Sequence, residues 1–206
     1  MTRYNKALLL VFILTIIWSA IRPLSDNNWI LEILPVFITM PFIYYLGKRY
    51  TISSLSWTFM FLYFSMPVVQ AHYGVGFVPI GVKLAPLFDT TRNVFDRFTH
   101  FFFGFFLFFP IFEMIRQSIG KRKFLNYMIP AALLLGLAAV YEISEWLVFV
   151  FSGPRLSFLF IGAQDDFYDT PKDMFMTFVG VILAMVSVGV TRFASELKKV
   201  SVKQSI

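Results

Sequence analysis

A chain of 206 residues that is 58% hydrophobic and 19% aromatic is too apolar for a soluble domain, and it is long enough for several membrane spans. A net charge of +6 invites a nucleic-acid reading, but the basic residues fall in short clusters between apolar runs. That pattern orients membrane helices, so the expected partner is the lipid bilayer and no nucleic acid is expected. The absence of cysteine removes disulfides and thiolate metal sites.

Apolar segments follow one another at about 7–22, 29–46, 52–70, 96–116, 125–150 and 172–192. The expected fold is all-α: a polytopic membrane helix bundle of six transmembrane helices, forming one integral membrane domain over 1–206. The first segment follows Arg3 and Lys6 as a secretory signal would. Trp18-Ser19-Ala20 is no Ala-x-Ala-like cleavage site, so the segment reads as an uncleaved signal anchor. It is short, and Lys6 and Arg22 are expected to snorkel to the two interfaces.

The second segment contains Pro35 and Pro41, which should kink it, and Glu32 near its outer end. The third closes at Ser65-Met66-Pro67. After it, 71–95 places Gly74, Gly76, Pro79, Gly81 and Pro86 among apolar residues, too hydrophobic for a free solvent loop. This stretch either lies on the outer interface or folds over the bundle as a lid. His72, within it, reads as an interfacial histidine.

The fourth segment opens on Asp96-Arg97-Phe98-Thr99-His100. Its phenylalanines (Phe98, Phe101, Phe102, Phe105, Phe109) read as lipid contact. The fifth carries Glu142 and Glu145, with Trp146 in the outer aromatic belt. The loop 152–170 includes Arg155 and then Gly162-Ala163-Gln164-Asp165-Asp166; the sixth segment brings Asp169 and Asp173. No internal period or self-similar half is visible, so the inverted repeats of many secondary transporters are absent from the sequence pattern.

Basic residues set the orientation. Arg3/Lys6, Lys48/Arg49, Arg116/Lys121/Arg122/Lys123 and Arg192/Lys198/Lys199/Lys203 all fall on one side, which places both termini in the cytoplasm. Glu113 and Glu196 share that side, whereas Asp26, Glu32, Asp89, Asp96, Glu142, Glu145, Asp165, Asp166, Asp169 and Asp173 gather toward the other. Acidic residues hardly influence topology, so their segregation points to an external site for a cation or polar substrate.

Three stripes define that site. Asp96, His100 and Gly104 share a helical face, as do Glu142 and Glu145 above Ala138, and Asp169, Asp173, Thr177 and Gly180. Small residues below the charged ones let neighbouring backbones approach. Close carboxylates in a low dielectric cannot all stay ionised without a cation among them. That cation is either internal, from Arg92, Arg97, Arg155 and Lys172, or a divalent metal (Mg²⁺, Mn²⁺ or Zn²⁺) on His100 and the carboxylates. Two residues have structural alternatives. Thr170-Pro171-Lys172-Asp173 reads as a capping box, and Asp96 fits a helix N-cap. Glu142 lies well inside its span, where no cap is needed.

The runs 93–101, Tyr141-Glu142-Ile143-Ser144-Glu145-Trp146 and Gly162-Ala163-Gln164-Asp165-Asp166, continuing to Asp169 and Asp173-Met174, resemble the YjdF-type bacterial inner-membrane proteins. More distantly, Asp96-Arg97 with His100-Phe101, a Glu on the next helix, and Asp173, Thr177 and Gly180 are similar to the VanZ-like proteins, in which asparagine is usual at the Thr177 position and glutamine at the Glu145 position. The first resemblance implies an uncharacterised inner-membrane family; the second implies the cell envelope, through glycopeptide resistance.

The expected function is an acidic pocket facing the periplasm that binds, or acts with a metal on, a lipid-linked or phosphate-bearing envelope substrate. Asp96, His100, Glu142 and Asp173 form its metal or acid/base core, with Glu145 and Asp169 as further ligands. Arg97, Gln164 and Asp165 are the substrate contacts. A cation or proton pathway on the same carboxylates, or a non-catalytic membrane subunit, are the alternatives.

Overall fold

The computed structural model describes residues 2–120, 122–152, 164 and 166–204, with side chains as far as Thr191. Backbone that meets hydrocarbon must satisfy its hydrogen bonds internally, and the described residues are accordingly helical, without a strand. The helices are α1 (Arg3–Ser19), α2 (Asp26–Arg49), α3 (Ser54–Tyr73), the short α4 (Pro79–Leu84), α5 (Phe95–Ile119), α6 (Lys123–Phe151) and α7 (Asp169–Gln204). Single 3₁₀ turns at Val75–Phe77 and Ala85–Phe88 flank α4. Asp26–Arg49, Phe95–Ile119, Lys123–Phe151 and Asp169–Thr191 are long and apolar enough to cross a membrane.

Local chemistry sets the starts. Thr2, Ser25 and Ser53 each accept a hydrogen bond from the backbone N–H three residues on, which caps α1, α2 and α3. α2 continues as one helix through Pro35 and Pro41, and α3 reaches Tyr73 rather than ending at residue 70. His72 therefore sits in the last turn of α3, not in a loop. Its Nδ1 lies 3.2 Å from the Ser19 carbonyl, and its ring packs on Trp18 at 4.5 Å.

α5 is the hub. It packs most extensively on α7, then on α3 and α6, while α3 carries α1 and α2 on its other side. Phe64, Val68, Phe108, Leu134, Val181 and Ala184 form the dry centre. The α5–α7 contact depends on two glycines. A Cβ on Gly104 would land on the Thr177 carbonyl oxygen, and one on Gly180 would land on that of Phe101. No side chain fits there. Because α5 is central, its phenylalanines are only partly exposed: Phe105 and Phe109 pack into the core layer against Phe59 of α3. The phenylalanine run is thus a packing surface as much as a lipid face.

The antiparallel order gathers two distinct ends. At one, the Thr51 N–H donates to Gln117 Oε1 and the Ser53 N–H to Glu113 Oε2, both at 2.9 Å, and Arg3, Lys6, Lys48, Arg49, Arg116, Arg122 and Lys123 are all exposed. The other end collects the C-termini of α1, α3 and α6 and the N-termini of α2, α5 and α7.

Candidate functional site

Asn93 prepares the entry to α5. Its Oδ1 accepts the Phe95 N–H at 3.0 Å, while its Nδ2 donates to the Val78 carbonyl at 2.8 Å. The helix therefore starts before Asp96, which lies inside the first turn and is not the N-cap. Freed from capping, the Asp96 carboxylate turns inward and accepts from Gln70 Nε2 of α3 at 3.2 Å.

One turn on, His100 Nε2 lies 3.9 Å from Asp96 Oδ1 and 3.5 Å from Glu142 Oε1 of α6. The His100 carbonyl accepts from the Thr177 hydroxyl at 3.2 Å, which ties the stripe of α5 to that of α7.

On α7, Asp166 supplies the turn that the capping-box reading assigned to Thr170. Its Oδ1 accepts the Tyr168 N–H at 3.0 Å, and the helix begins at Asp169, so Thr170 and Asp173 are both within it. Asp173 is buried, with 1% of its surface exposed, and pairs with Arg97. Arg97 also reaches Asp169 at 2.8 Å and Asp166 at 3.1 Å. Arg92 pairs with Asp169 and lies 3.5 Å from Asp166 and 3.8 Å from Asp96. Outermost, Lys172 contacts Asp166 at 2.7 Å and holds that carboxyl below the usual carboxylate range.

Buried charge is unbalanced at this end. Glu32, Asp96, Glu142, Glu145, Asp169 and Asp173 are buried, against the guanidiniums of Arg92 and Arg97. Asp96 Oδ2, Glu142 Oε1 and Asp173 Oδ1 have no hydrogen-bond partner among the described residues. Asp96, His100 and Asp173 each offer one ligand atom, all within 4.8 Å of one another. Hard oxygens with one imidazole suit Mg²⁺, Mn²⁺ or Zn²⁺, and a cation there would satisfy oxygens that are otherwise buried without partners.

The fold thus brings together Asp96, His100, Glu142 and Asp173. Asp169 lies one turn outward, held by the arginines, and Glu145 is buried on the Glu142 face of α6. Gln164 serves as a clasp: its Oε1 accepts the Asn93 N–H at 2.8 Å and its Nε2 donates to the Asn93 carbonyl at 3.4 Å. Asp165 and Arg155 lie outside the described residues.

Helical spacing does not single out Gln70 and Asn93, although a glutamine at the end of an apolar segment is itself a signal of a buried polar contact. Glu32, near the outer end of its segment, belongs to none of the three stripes. It is buried at the same end, with Oε1 unpartnered among the described residues.

The family model described as Predicted membrane protein (DUF2238) matches residues 4–193, and the chain belongs to that family. Inner membrane protein YjdF of Escherichia coli (strain K12) is 27% identical over 193 residues, which cover 90% of this chain and 91% of that protein. Both matches concern the YjdF-type proteins and carry nothing of the VanZ-like ones. No solved structure matches.

Proposed function

We propose that this member of the DUF2238 family is a six-span inner-membrane protein that holds a divalent cation at its periplasmic end, for binding or chemistry on a lipid-linked or phosphate-bearing envelope substrate. One observation carries the reading: three ligand atoms from α5 and α7 within 4.8 Å, on buried side chains, two of them carboxylates with unpartnered oxygens. In it, Asp96, His100 and Asp173 are the ligands, and Glu142, 3.5 Å from His100 Nε2, completes the shell or orients the imidazole. Glu145 and Asp169 add negative potential. When bound, such an ion polarises a phosphoryl oxygen or lowers the pKa of a water.

Arg97 holds Asp169 and Asp173 in register and is the group that an anionic head group would engage, with Gln164 and Asp165 as further substrate contacts. The cytoplasmic placement of both termini rests on the basic end. Labelling of a Ser118→Cys thiol by an impermeant reagent in intact spheroplasts would invert it.

The test is a Mn²⁺ titration of the purified protein followed by electron paramagnetic resonance. The free-ion signal is expected to disappear up to one equivalent in the unmodified protein. Asp96→Asn and Asp173→Asn are each expected to weaken binding by about 10–100-fold or more. A signal that grows linearly from the first addition defeats the proposal, and unchanged binding in Asp173→Asn removes that ligand.

A second reading, a cation or proton pathway, is favoured by Glu32. It lies six residues into α2, roughly 9 Å below the helix start, buried and with Oε1 unpartnered among the described residues. Cation-dependent current in vesicles that Glu32→Gln abolishes would select that reading; silent vesicles would reject it.

A further inference from the structure

The stretch between α3 and α5 takes no part in the cation site, and its two faces are unlike. One face, formed by Val75, Val78, Gly81 and Ala85, is buried. It is fixed by the Asn93 amide, which donates to the Val78 carbonyl at 2.8 Å. Gly81 sits so close that a Cβ there would land on that same amide. The opposite face is apolar and open: Ile80 is 55% exposed, Leu87 77% and Phe88 57%, with Val82 beside them. Lys83 is the charged residue of α4 and is also exposed. Pro79–Phe88 is apolar but far too short to cross a bilayer.

Two features indicate what covers the open face. Phe88 meets Phe98 edge-on at 5.7 Å; Phe98 stacks on Phe102 at 6.5 Å, and Phe102 on Phe106 at 4.6 Å. The face is therefore continuous with the partly exposed phenylalanine column of a membrane-spanning helix. It also lies at the end where Trp18, Trp146 and Tyr168 are exposed, and such amphipathic rings settle at the level of lipid head groups.

We infer that Pro79–Phe88 is a membrane-inserted collar, lying in the plane of the leaflet at the acidic end. Ile80, Leu87 and Phe88 sit among phospholipid acyl chains, and Lys83 snorkels to the head-group phosphates. Asn93 both holds the collar and starts α5, three residues before Asp96. The collar thereby fixes Asp96, Arg97 and His100 at head-group depth. This inference goes beyond the cation reading and stands or falls without it.

The chain has no cysteine, so one introduced thiol carries one probe. Ile80→Cys, Leu87→Cys and Thr91→Cys, each labelled with an environment-sensitive nitrobenzoxadiazole group, are reconstituted as the full chain in phosphatidylethanolamine–phosphatidylglycerol vesicles. Phospholipid spin-labelled near the top of its acyl chain is expected to remove most of the emission at positions 80 and 87. Aqueous iodide is expected to remove little there and most at position 91. Iodide quenching at 80 and 87 would overturn the collar by showing water against that face. Protection from both quenchers would overturn it equally, by showing that a second copy of the protein covers the face. Lipid quenching at 91 would overturn the head-group depth. If Ile80→Cys fails to insert, position 87 decides alone.

Discussion

The two ends of the bundle solve opposite problems. At the basic end the described lysines and arginines are exposed, and the helix starts are closed by neutral or singly charged contacts such as Gln117 with Thr51 and Glu113 with Ser53. At the acidic end, charge is inside: six carboxylates are buried beside two half-buried guanidiniums, and Asp96, Glu142 and Asp173 each keep an oxygen without a hydrogen-bond partner among the described residues. Exposed charge on a membrane protein costs little and orients the chain; buried, unbalanced charge is costly and is kept where it serves a ligand. One end anchors the protein. The other gathers its buried carboxylates around Arg92, Arg97 and His100.

The most severe way to break this contrast is to remove matched cations from the two ends. Arg97→Ala leaves Asp169 and Asp173 without their shared partner, and loss of one member of a buried pair costs about 3–5 kcal/mol. Arg116→Ala, at an exposed position of the basic end, is expected to stay within about 0.5 kcal/mol. Thermal unfolding of both variants in the same detergent checks the difference. Equal shifts would mean that the Arg97 cluster is solvated and the two ends are alike.

Next in size is the crossing beneath the site. Gly104→Ala drives a methyl group into the Thr177 carbonyl and should cost about 1–3 kcal/mol by overpacking. Gly136, on the outer side of α6, has nothing within 4 Å, and Gly136→Ala should instead stabilise by up to about 1 kcal/mol through helix propensity. Unfolding midpoints that move in opposite directions support the close α5–α7 contact. A neutral Gly104→Ala would place the helices farther apart.

The smallest effect belongs to the outer ion pair. Lys172 is largely exposed, so Lys172→Ala should cost about 1 kcal/mol or less. Its pH dependence has a definite sign. Lys172 lowers the Asp166 pKa in the folded protein, so the contribution is present above the ordinary aspartate value of about 3.9 and is lost as pH falls through the lowered folded value. Unfolding curves of the two proteins should therefore begin to converge below about pH 4 and meet once pH is below the lowered folded value. A gap that persists there would assign the effect of Lys172 to packing rather than charge.

Much of this was legible because helical spacing is local. Asp96 with His100, Glu142 with Glu145, and Asp173 with Thr177 and Gly180 follow from the i, i+3 and i, i+4 rule alone, and Gly104 and Gly180 announce a close approach before its partner is known. What depends on registry between helices was not legible. Nothing local says that Gln70 of α3 faces Asp96, or that the amide of Asn93 accepts the Phe95 N–H while gripping Val78. Local signals also misled in two places. Thr170-Pro171-Lys172-Asp173 fits a capping box, yet the helix begins two residues earlier, at Asp169 after the Asp166 turn, and leaves Asp173 for Arg97. The phenylalanine run of α5 looks like a lipid face, but α5 is the hub, so part of the run is turned toward Phe59.

The central claim, a cation at Asp96, His100 and Asp173, is tested most directly by the metal content of protein purified without chelator, comparing the two histidines. His100 supplies the nitrogen of the cluster, whereas His72 is engaged with Ser19 and Trp18 on the far side of α3. The unmodified protein and His72→Ala should both carry a stoichiometric divalent metal, and His100→Ala should lose it while inserting normally. Equal metal in the two variants, or none in the unmodified protein, would contradict the account and leave the acidic end as an ion-pair network alone.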